Sequence, residues 1–242
     1  KYHFYNRSWD DNLRWHASNH AGITPPSDFI LKYFTDLYIE SLNNLDFLSI
    51  WFPDALGSEE FRIANHYCPN ATLVAGLQSL EPFYHKDPWR SALKDKKVLV
   101  VHPFEDSIKY QYSRKEPLFE DKTILPDFDL ITFKTHQTHG GGNTDLPWNV
   151  CFEDMADRIQ KIEFDVALVA AGGYGLPICN VIKKMNKPVV HVGGGLQIMF
   201  GIKGNRWDNM PAVNRFYNSE WKRPYDSEKT RNHAVVEGST YW

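Results

Sequence analysis

Apolar residues recur at helical spacing in the first third of the chain. Between residues 28 and 43 they stand three or four positions apart, which predicts an amphipathic helix. Ser27 precedes this segment and has the short polar side chain typical of an N-cap. Further helices are predicted over residues 58–66, 107–116, 153–162 and 176–185.

Between these helices lie short runs of continuous apolar residues. They cover residues 47–52, 71–75, 98–101, 130–133, 166–170 and 188–192. Such runs, separated by helices, are typical of parallel strands that are buried on both faces. The predicted fold is therefore an α/β, Rossmann-like, mostly parallel sheet with helices on both faces.

The two ends of the chain lack this alternation of helices and apolar strands. On this basis we predict three regions. Residues 1–26 are expected to form an irregular N-terminal arm, and residues 27–210 the Rossmann-like domain. Residues 211–242 are expected to form a C-terminal tail that wraps around the core.

Composition narrows the functional class. The chain has 242 residues, a net charge of −3 and three cysteines. The slightly acidic balance argues against a nucleic-acid partner, and no apolar run approaches the ~18 residues of a transmembrane segment. Few, widely spaced cysteines suggest a reducing compartment, so we expect a cytoplasmic protein. The first residue, Lys1, is not Met, which leaves open that the chain is a fragment of a larger multidomain protein.

Ligands of open parallel sheets bind beyond the carboxyl ends of the strands. Two glycine-rich turns fall at such ends, over residues 171–175 and 193–195, where backbone amides can approach a diphosphate. The alternative is that these glycines only permit tight turns. Lys203 and Arg206 follow closely and could pair with phosphates. The predicted donor-binding residues are Gly172, Gly173, Tyr174, Gly175, Gly193, Gly194, Gly195, Gln197, Lys203 and Arg206.

Common cofactor and nucleophile motifs are missing. Ile178 stands where the third glycine of a dinucleotide fingerprint belongs, and no Walker loop or G-x-S-x-G elbow occurs. His136 and His139 lie in a glycine-rich loop, where a structural role is favoured over metal binding. NAD and ATP binding in their usual forms are therefore not expected.

Acidic and aromatic residues near strand ends are the other candidates. Glu81 or Glu105 could act as a general base, with His102 close by. Trp51, Phe104 and Trp207 could stack on sugar or acceptor rings.

Three segments resemble a known family. Residues 96–111, 193–208 and 236–242 are similar to a family of uncharacterised proteins found among polysaccharide-assembly genes. More distantly, the glycine-rich strand–turn–helix resembles glycosyltransferases of the GT-D type. The resemblance implies a nucleotide-sugar donor and a glycan acceptor. GT-D enzymes carry a D-x-E motif after an N-terminal strand, whereas residues 53–59 have differently spaced acids, so a requirement for Mn²⁺ or Mg²⁺ stays open.

These observations predict a glycosyltransferase of the hexosyl- or deoxyhexosyltransferase class. It would transfer a sugar from a nucleoside-diphosphate sugar, UDP-linked by preference, to a glycan hydroxyl. The alternative hypothesis is a non-catalytic nucleotide- or glycan-binding module of a larger protein.

Overall fold

The strands form two parallel sheets. The computed structural model describes residues 9–50, 55–81, 84–85, 89–142 and 144–242. Its strands are β1 (Phe47–Ile50), β2 (Thr72–Ala75), β3 (Lys97–His102), β4 (Asp129–Lys134), β5 (Val166–Val169) and β6 (Val189–His191). Within these residues, β1 and β2 pair with each other, and a four-stranded sheet has the order β4–β3–β5–β6. Every strand pairing is parallel.

The main helices connect or cover these strands. They are α1 (Asp11–Asn19), α2 (Asp28–Asn43), α3 (Ala55–Tyr67), α4 (Glu105–Ser113), α5 (Trp148–Ile159) and α6 (Gly175–Lys184). Three short helices follow: α7 (Gly195–Met199), α8 (Asn205–Asp208) and α9 (Pro211–Asn214). None of the helices in the described part of the chain is long and apolar enough to cross a membrane.

Helix α2 has the predicted bounds, and the Ser27 hydroxyl accepts a hydrogen bond from the Ile30 N–H at 3.3 Å. Helix α5 begins at Trp148 rather than at the predicted Glu153. Its first turn buries Trp148 and Phe152, and Pro147 before it fixes the entry of the chain. Residues 148–152 are mostly apolar, so no polar face marks this segment of the sequence as part of an amphipathic helix.

Side chains of the central strand alternate between two cores. Val98 and Val100 of β3 face one hydrophobic cluster, and Leu99 and Val101 face the other. A sheet covered on both faces needs this arrangement, because neither face of its strands is polar. The coarse prediction of an α/β fold with parallel sheets flanked by helices is confirmed.

The N-terminal segment contains a helix where an irregular arm was expected. Asp10 caps α1 by accepting a hydrogen bond from the Leu13 N–H at 2.7 Å. No residue of α1 is fully buried, so its sequence lacks the apolar stripe from which a helix is normally predicted.

The C-terminal tail supplies the N-cap of α4. Glu228 is only 1% exposed and accepts hydrogen bonds from the N–H groups of Asp106 at 2.9 Å and Ser107 at 3.2 Å. The same carboxylate also accepts from the Ser107 hydroxyl and from the Tyr225 N–H. A carboxylate at this position satisfies free N–H groups and complements the helix dipole.

We predict that Glu228→Gln destabilises the fold by about 2–4 kcal/mol, because charge-assisted hydrogen bonds are lost in a buried network. Urea denaturation measures the free energy of unfolding. The matched control is Glu163→Gln, because Glu163 is exposed. Equal stability of the two variants would contradict the capping role.

Candidate functional site

The topology places one crevice between β3 and β5. From β3 the chain crosses to β4 on one side, whereas from β5 it crosses to β6 on the other. The adjacent connections diverge there, which is the usual ligand position in such sheets. In this chain the crevice is occupied by the protein itself, because Glu228 covers the amino end of α4.

The turn after β5 is also partly covered. The Gly173 N–H donates to the carbonyl of Ala21 at 3.1 Å, and a Cβ on Gly173 would lie 2.5 Å from that oxygen. Tyr174 is buried and stacks on Trp148 with a centroid distance of 4.9 Å. Gly173 therefore binds the N-terminal segment, and Tyr174 packs in the core. Their N–H groups already have acceptors and the Tyr174 ring is stacked, so neither residue is available to bind a donor diphosphate as predicted.

The turn after β6 is open. A Cβ on Gly193 would meet no atom within 4 Å. Within the described residues, the N–H groups of Gly194 and Gly195 have no acceptor, and neither has that of Gly172 at the β5 turn. Backbone N–H groups are nearly always paired in native proteins, with protein, water or a ligand. The N–H groups of these three glycines are the unpaired part of the predicted cradle, and of the three only Gly195 is itself buried.

Glu81 lies against this open turn. A Cβ on Gly195 would be 3.4 Å from Glu81 Cγ and 3.6 Å from its Oε1. Burial raises the pKa of the Glu81 carboxyl. A partly buried carboxyl group with a raised pKa, at the edge of a ligand crevice, has the properties of a general base.

His191 lies at the carboxyl end of β6 and was missed by the sequence analysis. Its ring is packed beside Gly175, where a Cβ would lie 2.2 Å from Nε2. Gly175 therefore makes room for an imidazole rather than for a phosphate, and its own N–H donates to the Gly172 carbonyl. The signal that could have identified His191 is its position near the carboxyl end of the predicted strand 188–192.

Two of the predicted catalytic residues have structural partners instead. Glu105 accepts a hydrogen bond from the Thr132 hydroxyl at 2.6 Å and pairs with Lys109 at 3.0 Å. His102 is 4% exposed, and its Nδ1 accepts a hydrogen bond from the Phe104 N–H at 2.9 Å. Burial lowers the pKa of His102 to about 3. Oε1 of Glu105 is thus held by β4 and α4 and the His102 ring is buried, so Glu81 is the predicted base that lies beside the open turn.

Two of the three aromatic candidates do not offer ring faces to a sugar. Phe104 and Trp207 are 2% and 3% exposed, respectively. Trp207 packs against the β6 turn, 3.1 Å from the position of a Cβ on Gly194. Trp51 lies outside the described residues.

The two predicted cations and Gln197 are also engaged. Gln197 is fully buried, and its amide donates to the carbonyls of Lys203 and Tyr241, each at 2.8 Å. The Lys203 ammonium lies 5.0 Å from the centroid of the Tyr217 ring. Gln197 therefore binds the backbone of the C-terminal tail, not the sugar donor for which it was predicted.

Arg206 stays close to the open turn. Its guanidinium forms an ion pair with Glu237 and lies 5.0 Å from the centroid of the Tyr241 ring. Tyr241 in turn approaches Gly194, with Cε1 3.4 Å from the position of a Cβ there. Of the two predicted phosphate-binding cations, Arg206 is the one that the contacts connect to the glycine turn.

In the described part of the chain, no group of three or more His, Cys, Asp or Glu side chains is placed to hold a metal ion. A requirement for Mn²⁺ or Mg²⁺, which the sequence left open, has no ligand set among these residues, and we derive no step through a metal.

Comparison with protein-family models, with curated proteins and with solved structures finds no match. The resemblance to GT-D glycosyltransferases therefore stays a prediction.

The buried His102 gives a testable pH dependence. The unfolded chain protonates this residue near pH 6.5, whereas the folded protein does so only near pH 3, because burial of the ring disfavours its charged form. Stability should therefore fall as the pH drops from about 6.5 towards 3, by at most about 1.4 kcal/mol per pH unit from this residue.

His102→Asn is the informative variant. The Asn side chain can accept the hydrogen bond from the Phe104 N–H, but it does not titrate. We expect a flatter stability profile over this pH range in urea denaturation. An unchanged slope would show that His102 is not the titrating group.

Proposed function

We propose that the protein is a glycosyltransferase that takes its sugar from a nucleoside-diphosphate donor, UDP-linked by preference. One observation carries this proposal. The carboxyl group of Glu81, with its raised pKa, lies beside a glycine turn whose Gly194 and Gly195 N–H groups have no acceptor among the described residues.

The diphosphate binds at the free N–H groups of Gly172, Gly194 and Gly195. Backbone N–H groups in such turns form anion-binding concavities without needing a side chain. Gly193 leaves open space above the turn, which gives a bulky ligand room to approach. Arg206, whose guanidinium lies over the Tyr241 ring beside Gly194, supplies a positive charge.

Transfer requires one proton to move. The acceptor hydroxyl gives its proton to the Glu81 carboxylate, and its oxygen forms a bond to the anomeric carbon of the donor. The bond between that carbon and the diphosphate oxygen breaks, and the leaving diphosphate keeps the electron pair. The free N–H groups stabilise the charge that develops on the leaving group.

This role for Glu81 predicts that Glu81→Gln lowers turnover by about 10²–10⁴-fold, the usual contribution of a general base. Donor affinity should change little, because the amide keeps the size of the carboxyl group. Release of nucleotide from UDP-, GDP-, dTDP- and CMP-sugars, with and without Mn²⁺, measures turnover, and thermal shifts measure donor binding.

Glu163→Gln, at an exposed position, is the control and should retain full turnover. Wild-type protein that binds a nucleotide sugar without turnover would favour the alternative of a non-catalytic nucleotide- or glycan-binding module. A protein that responds to none of the four donors would overturn the donor site itself.

A further inference from the structure

A second cavity lies at the opposite end of the same sheet edge. It has a volume of about 300 Å³ and lies beyond the carboxyl ends of β3 and β4. Its lining includes Lys134, Thr135, His136, Arg158 and Glu228. Strands β4 and β6 are three positions apart in the sheet, so Lys134 and Thr135 at the end of β4 lie about 14 Å from the glycine turn after β6, at ~4.8 Å per strand.

The cavity contains a buried hydroxyl group without a partner. Thr135 is 6% exposed, and within the described residues its Oγ1 forms no hydrogen bond. Buried hydroxyl groups in native proteins nearly always have a partner. Because this oxygen is itself fully buried, the Thr135 side chain must turn about χ1 to donate to a ligand oxygen in the cavity.

Two cations line the same cavity in weak pairs. Lys134 lies 3.3 Å from Asp106, and Arg158 lies 3.0 Å from Asp154. All four side chains are 43–53% exposed, and exposed pairs of this kind contribute little stability. Both cations can therefore exchange their aspartate for a ligand at small cost. Arg158 is already oriented, since its guanidinium lies 4.8 Å from the centroid of the Phe133 ring.

The negative charge of the buried acid in the lining is offset by its own hydrogen-bond donors. Both oxygens of Glu228 are engaged by hydrogen-bond donors of α4 and of the tail, namely Asp106, Ser107 and Tyr225. These N–H and O–H groups, together with the positive end of the α4 dipole, compensate its negative charge.

We propose that this cavity binds a phosphate group, either as free phosphate or as part of a small sugar phosphate. Arg158 and Lys134 pair with its charge, and the Thr135 hydroxyl donates a hydrogen bond to one of its oxygens. Phosphate suits the site because its several oxygens can take donors from a helix, a strand end and a loop together. The site is independent of the proposed donor site.

Isothermal titration calorimetry at constant ionic strength tests this proposal, with inorganic phosphate, glucose 1-phosphate and glucose as probes. We expect one or both phosphate compounds to bind and glucose not to bind. Binding of phosphate indicates that the free ion is sufficient, and binding of glucose 1-phosphate alone indicates a sugar phosphate. Binding of glucose, or of none of the three, would overturn the proposal.

Three variants distinguish specific phosphate binding in this cavity from non-specific attraction to positive surface charge. Arg158→Gln should weaken phosphate binding about tenfold, and Thr135→Val about fivefold. Lys184→Gln is the control, because Lys184 pairs with Glu40 on another surface and its side chain is 56% exposed, against 52% for Arg158. Equal weakening by the Arg158 and Lys184 variants, or full binding by both Arg158→Gln and Thr135→Val, would contradict the proposal.

Discussion

The backbone N–H groups at the carboxyl edge of the sheet each need an acceptor. The positions of those acceptors determine how the two ends of the chain pack on the domain and which turn stays unpaired. A helix that begins after a parallel strand directs its first N–H groups towards this edge. At α4 the acceptor is Glu228 from the tail. At the β5 turn it is the carbonyl of Ala21, and at α5 the Trp148 N–H donates to the carbonyl of Thr24 at 2.7 Å.

These contacts explain why the chain ends are folded against the domain. Residues 21–24 and the segment around Glu228 occupy the crevice between β3 and β5, which in an open parallel sheet is the usual ligand site. At the β6 turn, Trp207 and Tyr241 pack on Gly194, but the described residues offer no acceptor to the N–H groups of Gly194 and Gly195. The fold thus closes its central crevice and leaves an opening one strand further along, beside Glu81.

Sequence reasoning predicted the parallel sheet because buried strands are continuously apolar, as in residues 98–101. It also predicted α2 to the residue, because Ser27 marks its start. It missed α1, whose residues are all at least partly exposed.

The candidate site was predicted less completely, because proximity in sequence does not show what a side chain contacts. Glu105 and Glu81 both follow strands, yet only the fold shows that Glu105 is engaged by Thr132 and Lys109. Likewise, the pairing of Glu228 with α4 joins residues more than 120 positions apart. No local pattern encodes a contact of that kind.

Amide hydrogen exchange, measured by NMR with saturating UDP, tests the central claim most directly. If the open β6 turn is the diphosphate site, the N–H groups of Gly172, Gly194 and Gly195 should exchange more slowly in the presence of UDP. The N–H groups of Asp106 and Ser107, already held by Glu228, should show no change. Unchanged exchange at the three glycines, or protection confined to other turns, would contradict this account.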